Sequence, residues 1–237
     1  MRRYVRFFSE MVKEDFHIAG GKAANLGELT QRGFKVPPGF CVTSDCLSYI
    51  IAYNNLQPRI DVAIQDFDYT DFKGMEEKTG VIRDLIVSAE IPQDLSQEIM
   101  DAIRKLNEHE ATFVAVRSSV AVKDSEISSF PGMMDTYHYL RGEEEILQNI
   151  RKCWASLWTS RAVFLRHRKK IEHSKGLIAP IVQEMVHSEV AGVLFTANPI
   201  TSRKDEIVIE ANWGLGESVV SGQYINDFYL VDKSVSY

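Results

Sequence analysis

Thr112-Phe113-Val114-Ala115-Val116-Arg117-Ser118-Ser119 is the stretch around which the fold is organised. Its β-branched and aromatic residues predict a strand, because such side chains pack well on a pleated sheet. The run ends in a guanidinium followed by two hydroxyls. Arg117 is suited to bidentate contact with a phosphate, and the serines can take further phosphate or ribose oxygens. An arginine that merely caps a surface strand explains the pattern equally well.

Length and composition exclude several classes of protein. The 237 residues carry 27 basic and 33 acidic side chains, a net charge of −6, and 45% are hydrophobic, as in an ordinary globular protein of one large or two small domains. No apolar run reaches the ~20 residues of a membrane span, and the N-terminus lacks a signal-peptide pattern. The 3 cysteines form no C-x-x-C pair, so we expect a reducing cytoplasm. The acidic charge gives no reason to expect a nucleic-acid or membrane partner.

Hydrophobic periodicity predicts an α+β fold of mixed sheets with flanking helices. We expect a first α/β subdomain at residues 1–110 and a strand-rich portion at residues 111–237. The second portion includes a polar loop at residues 118–135 and a long helix at residues 143–171, and the stretch 54–78 is predicted as surface loop and short helix. The other predicted strands are Tyr4–Phe8, Phe40–Thr43, Thr136–Leu140, Ala179–Val186, Ala191–Thr196, Glu206–Glu210 and Phe228–Val231.

Gly20-Gly21-Lys22 opens a predicted helix that ends at Gly33. Two glycines let the backbone approach an anion, the helix N-terminus offers unpaired N–H groups, and Lys22 adds a point charge. The Walker A spacing is absent. On spacing alone, a structural turn before a helix is the simpler interpretation.

Two further segments contain residues that could contact a ligand. Residues 128–136, around Pro131-Gly132, are typical of a loop that closes over a ligand, although Met133 and Met134 could instead fill a core. Gln183 lies within an apolar strand, where its amide could match an adenine edge. Ordinary alternation on a half-exposed strand accounts for Gln183 as well.

The remaining basic residues and the histidines indicate neither a nucleic-acid site nor a metal site. The run Arg166-His167-Arg168-Lys169-Lys170 lacks the aromatic residues and broad basic face of a nucleic-acid site, and a solvated helix end is the simpler interpretation. The six histidines show no i,i+4 metal pair. The residues therefore predict no metal site.

Five motifs in this order resemble the nucleotide-binding region of the phosphoenolpyruvate synthase / pyruvate phosphate dikinase family, which includes the rifamycin phosphotransferases. The resemblance covers nearly the whole chain and is weakest between about residues 54 and 107. It implies a partial ATP-grasp fold, in which α+β lobes clamp ATP. The motifs are Gly20–Leu29, Val36–Phe40, Ala115–Ser119, Ser129–Thr136 and Val182–Gly214.

The resemblance carries the family's ATP contacts onto seven residues: Lys22, Arg117, Gly132, Thr136, Gln183, Glu184 and Val186. The two cations would contact the phosphates and serve catalysis. Gly132 and Thr136 would belong to a loop over the β- and γ-phosphates. Gln183 would face the adenine, and the last two residues would add backbone contacts near the base.

The implied activity is ATP-dependent phosphorylation of the enzyme's own histidine, followed by transfer to pyruvate to give phosphoenolpyruvate, AMP and phosphate. The Mg²⁺ ligands, the phosphohistidine and the acceptor site are expected beyond Tyr237, so the 237 residues alone should transfer phosphate poorly. Residues 119–125 depart from the synthase pattern, while Pro131–Thr136 is closer to the dikinases. A rifamycin hydroxyl as acceptor, or a non-catalytic nucleotide-binding module, remains an alternative.

Overall fold

The computed structural model describes residues 4–65, 67–107, 113–122 and 135–234. The chain forms two compact units, Met1–Met185 and Val186–Tyr237. The helices are α1 (Phe16–Gln31), α2 (Ser44–Tyr53), α3 (Gln57–Ile64), α4 (Phe72–Ser88), α5 (Gln93–Leu106), α6 (Glu143–Ser156), α7 (Ser160–Arg168) and α8 (Glu217–Val220). The strands are β1 (Val5–Phe7), β2 (Gly39–Val42), β3 (Val114–Val122), β4 (Thr136–Leu140), β5 (Gly176–Glu184), β6 (Val190–Phe195), β7 (Glu206–Trp213) and β8 (Asp227–Asp232). The predicted α+β class is confirmed.

The first unit is built on a five-stranded sheet in the order β1-β2-β5-β3-β4, in which all neighbours are antiparallel. The longest ladder joins β3 to β5, from Val114 opposite Glu184 to Val122 opposite Gly176. β3 therefore continues beyond Arg117, and residues 118–122 of the predicted phosphate loop belong to a strand. The stretch 123–134 of that loop lies outside the described residues.

The two faces of this sheet pack against different helices because strand side chains alternate. Val114, Val116 and Val120 of β3 join the larger core with α2, α4, α5 and α6. On the opposite face, Ala179 and Ile181 of β5 pack with Ala19 and Ala23 of α1 in a smaller core. By alternation, Arg117 and Ser119 share the face that α1 covers.

The helices on the larger core bury apolar side chains that recur at helical spacing. In α5 these are Leu95, Ile99, Ile103 and Leu106. The stretch 54–78 is more helical than predicted: α3 begins with Pro58 in its first turn, and the Asp71 carboxylate caps α4 by accepting the Gly74 N–H at 3.0 Å. Within the described ranges, no helix is long and apolar enough to cross a bilayer.

The long helix predicted at residues 143–171 is in fact two helices, α6 and α7. The break follows from a local capping signal, since the Thr159 side chain accepts the Ala162 N–H at 3.3 Å and begins α7. A second correction concerns the basic run near the end of α7. Arg166 is only 2% exposed and is not a solvated residue. Its guanidinium donates to the Leu157 carbonyl and lies over the Trp158 ring.

The second unit contains the antiparallel sheet β6-β7-β8 and the short helix α8. Its connection between β6 and β7 is organised by Asn198, whose side chain accepts the N–H groups of Ile200 and Thr201 and donates to Glu206. The chain divides after Met185 and not at the predicted boundary between residues 110 and 111. The reason is the pairing of β2 with β5, in which Gly39 is opposite Gln183, because it places residues from both sides of that boundary in one sheet.

Candidate functional site

Gly20 lies in close contact with the backbone of strand β3. Its φ of +72° interrupts the helical geometry of α1, so the regular helical stretch opens at the second glycine, as the sequence predicted. A Cβ at this position would lie 2.5 Å from Ser119 Oγ, 2.8 Å from the Ser119 carbonyl carbon and 2.9 Å from the Val120 nitrogen. Only glycine allows both this backbone conformation and this close approach.

Strand β3 also holds the residues that follow Gly20. The Ser119 hydroxyl, which is 1% exposed, accepts the Ala23 N–H at 3.1 Å and so caps this helical stretch from another element. The Lys22 ammonium donates to the Ser118 carbonyl at 2.8 Å. The glycine turn is thus attached to the two residues that follow Arg117.

Arg117 is half-buried and is linked to the next strand by a side-chain hydrogen bond. Its Nη1 donates to Gln183 Oε1 at 3.3 Å, and Gln183 Nε2 donates to the Pro37 carbonyl at 3.2 Å. Thr136 is directly opposite Arg117 in the β3–β4 register, and its side chain is exposed. Arg117, Thr136 and Gln183 therefore share one face of the sheet, on the side where Lys22 reaches β3.

The two cations are placed at an electrostatic cost. Desolvation and, secondly, the charge of Arg117 lower the pKa of Lys22 to about 8. Desolvation also lowers the pKa of Arg117. No carboxylate contributes to either shift, so neither positive charge is neutralised by an acidic residue of the described part of the chain. An anion bound beside them would favour the charged form of Lys22.

The remaining residues to which the resemblance assigns ATP contacts are Gly132, Glu184 and Val186. Gly132 lies outside the described residues. The Glu184 N–H donates to the Pro38 carbonyl at 2.9 Å, which joins the end of β5 to the Pro37-Pro38 turn. Val186 begins the second compact unit and is 59% exposed. The structure thus brings Lys22, Arg117, Thr136 and Gln183 to one face.

The structure corrects one role expected from the sequence and adds one residue. Ser118 and Ser119 are buried and form protein contacts at the glycine turn, instead of offering hydroxyls to a ligand. The Pro37 carbonyl, which fixes Gln183, was not expected. The only signal for this contact in the sequence was the segment Pro37-Pro38-Gly39. Which of its groups face β5 depends on the order of the strands in the sheet.

A second polar cluster lies around His173, away from these residues in the sequence. Arg166 Nε donates to His173 Nδ1 at 3.2 Å, which leaves Nε2 to donate to the Tyr69 hydroxyl at 2.9 Å. Desolvation, Arg166 and His167 lower the pKa of His173 to about 4. The ring is therefore neutral at pH 7 and serves as a structural hydrogen-bonding group.

This chain is similar to a known family of domains and to several known proteins. The family model described as "Pyruvate phosphate dikinase, AMP/ATP-binding domain" matches residues 16–236. A probable phosphoenolpyruvate synthase of Methanothermobacter thermautotrophicus is 44% identical over 236 residues, covering 98% of this chain and 34% of the relative. The phosphoenolpyruvate synthases of Pyrococcus furiosus and Aeropyrum pernix are each 39% identical, with 98% of this chain and 33% and 29% of the relatives covered. The chain thus spans about a third or less of the length of these relatives.

Proposed function

The chain belongs to the pyruvate phosphate dikinase AMP/ATP-binding domain family, and we propose that it binds the polyphosphate of ATP beside Lys22 and Arg117. The observation that carries this proposal is the convergence of two cations from separate elements. The Lys22 ammonium is bonded to the Ser118 carbonyl next to Arg117, and neither charge is neutralised by a described carboxylate. Charge-assisted hydrogen bonds to phosphate are strongest where water is partly excluded.

The two cations have complementary geometry for this task. Arg117 offers a planar fork that can contact two phosphate oxygens, while Lys22 offers a compact charge at the start of a helical stretch. Because the Ser118 carbonyl already holds the Lys22 side chain and Gln183 holds that of Arg117, little side-chain entropy remains to be lost on binding. In a phosphotransferase these cations would stabilise charge on the transferring phosphoryl group.

We assign the remaining contacts by family membership. Thr136 is exposed opposite Arg117 and would donate its hydroxyl to a phosphate, together with the backbone at Gly132. The Glu184 N–H is already bonded to Pro38, so the base contacts that we propose at this segment are the Glu184 carbonyl and the Val186 N–H. An ATP-grasp fold is part of this proposal.

We further propose that the chain serves an enzyme that forms phosphoenolpyruvate from ATP, pyruvate and water, with AMP and phosphate as the other products. A histidine on another part of such an enzyme would carry the phosphoryl group. The three relatives above are named phosphoenolpyruvate synthases, which favours pyruvate over a rifamycin hydroxyl as acceptor. The three cysteines are buried free thiols, which suits a reducing cytoplasm.

The described residues around Arg117 do not form a binding site for Mg²⁺. The described residues include no group of three or more His, Cys, Asp or Glu side chains that could hold a metal ion. The polar groups around Arg117 are a second cation, an amide and a hydroxyl, which suit an anion and not Mg²⁺. We therefore place no metal-dependent step on these residues.

Inorganic tripolyphosphate provides the most direct test, because it lacks a base. We expect Lys22→Ala and Arg117→Ala each to weaken tripolyphosphate and ATP binding by about tenfold or more, since each removes a charge-assisted hydrogen bond of about 1.5–3 kcal/mol. Affinities would be measured by NMR titration of the full chain. Lys73→Ala and Arg168→Ala, which remove exposed cations on α4 and α7, are the matched controls. Equal losses in all four variants would refute the assignment.

A further inference from the structure

We propose that Gln183 acts on bound ATP through Arg117, as a positioning residue for the guanidinium. This inference rests on the proposed function, because it requires phosphates at Arg117. It adds a second role to the adenine contact that family resemblance gives to Gln183.

The contacts of the Gln183 amide use both of its ends inside the protein. The side chain is 7% exposed, Oε1 accepts from Arg117 Nη1 at 3.3 Å, and Nε2 donates to the Pro37 carbonyl at 3.2 Å. An arginine can only donate and a carbonyl can only accept, so this orientation of the amide is fixed. Reversing it would lose both hydrogen bonds.

The sheet register explains why Gln183 meets Arg117. Ala115 is directly opposite Gln183 on β3, and Arg117 is opposite Ile181, so Gln183 and Arg117 are diagonal neighbours on one face. Diagonal neighbours are within reach of long side chains. The small side chain of Ala115 leaves room for the amide to lean toward the guanidinium.

The other end of this link is held firmly. The Pro37-Pro38 turn receives two hydrogen bonds from β5, one from the Gln183 side chain and one from the Glu184 N–H. Gly39 follows this turn, and a Cβ there would lie 2.5 Å from the Val182 carbonyl oxygen and 2.6 Å from the Phe8 ring. Arg117 is thus connected through Gln183 to a turn that is itself packed against the sheet.

The neutral amide has a consequence for anion binding. A glutamine accepts from Arg117 without cancelling its charge, whereas a carboxylate at this position would form a buried ion pair and compete with phosphate. Holding the guanidinium before the ligand arrives lowers the entropy lost on binding.

The test compares ATP with tripolyphosphate in the full chain, by NMR titration. Gln183→Met keeps the length and approximate volume of the side chain but removes both hydrogen bonds. We expect it to weaken tripolyphosphate binding by about fivefold and ATP binding by at least as much, and Gln183→Glu to weaken both further. In the Arg117→Ala background, Gln183→Met should have no additional effect on tripolyphosphate. Faster rotation of the Arg117 guanidinium in its ¹⁵N spectrum would accompany the change.

Two results would overturn the proposal: weaker binding of ATP with tripolyphosphate unaffected, or full additivity with Arg117→Ala. If Gln183→Met does not fold, Gln183→Asn, which withdraws a smaller amide from both partners, supplies the same comparison. Failure of the proposed function is distinguishable, because in that case Arg117→Ala itself would leave the affinity for both ligands unchanged.

Discussion

Gly20→Ala tests how closely the glycine turn must approach strand β3. The new Cβ would meet Ser119 Oγ, the Ser119 carbonyl carbon and the Val120 nitrogen, all within 3.0 Å, at a φ of +72°. The unusual backbone conformation costs about 1–3 kcal/mol, and overpacking adds about 1–3 kcal/mol. We expect the free energy of unfolding to fall by about 2–6 kcal/mol in total, measured by urea denaturation.

Gly33→Ala is the matched control at the other end of α1. Gly33 has a similar φ of +79°, but a Cβ there would have no atom within 4 Å. Only the backbone term applies, so we expect a loss of about 1–2 kcal/mol. The difference between the two variants therefore reports the contact with β3 together with the additional backbone cost of the Gly20 ψ of 165°.

A double variant sharpens this comparison. Two of the three close atoms belong to the β3 backbone, so Ser119→Gly should not restore the stability of Gly20→Ala. Stability restored by Ser119→Gly, or a loss in Gly20→Ala no larger than in Gly33→Ala, would refute the reasoning. The helical stretch would then not be fitted to the strand as we describe.

Three other predictions concern charge and hydrogen bonding. Arg117→Gln should raise the pKa of Lys22 above about 8, since the Arg117 charge contributes to its depression, but not to 10.5, because desolvation remains; NMR titration of the ammonium would show this. His173 has a folded-state pKa of about 4 against an ordinary 6.5, so unfolded chains bind more protons in this interval. Stability should thus fall as pH drops from 6.5 to 4, by less than the ~3 kcal/mol of the unscreened shift because the ring is partly exposed, and His173→Gln should flatten this slope in urea titrations at several pH values. Asn198→Ala should destabilise the second unit by about 2 kcal/mol in the same assay, because the Glu206 carboxylate and two backbone N–H groups lose their partner; no change would show that the loop holds itself.

Elements with strong periodicity could be predicted from the sequence. The β-branched run forms strand β3 as predicted, and β4 has the predicted bounds, Thr136–Leu140. The helix at residues 143–171 was overextended because Leu157, Trp158 and Leu165 continue the apolar spacing across the break. Only the capping hydrogen bond of Thr159 shows where the second helix begins.

The sequence predicted which residues form the candidate site but not how they contact one another. Lys22 and Arg117 were identified as separate phosphate-binding candidates, yet they are 95 positions apart and meet only because α1 packs on β3. The inward roles of Ser119 and Gln183 depend on register, since a shift of one residue would turn each side chain to the other face. Such information is carried by pairing across the sheet and not by local sequence.

The pKa of Lys22 with and without saturating tripolyphosphate tests the central claim most directly. Without ligand, NMR titration should give a value of about 8. A phosphate bound against the ammonium must favour its charged form, so the pKa should rise by at least one unit when tripolyphosphate is bound. An unchanged pKa of Lys22 under conditions where tripolyphosphate is demonstrably bound would contradict the account.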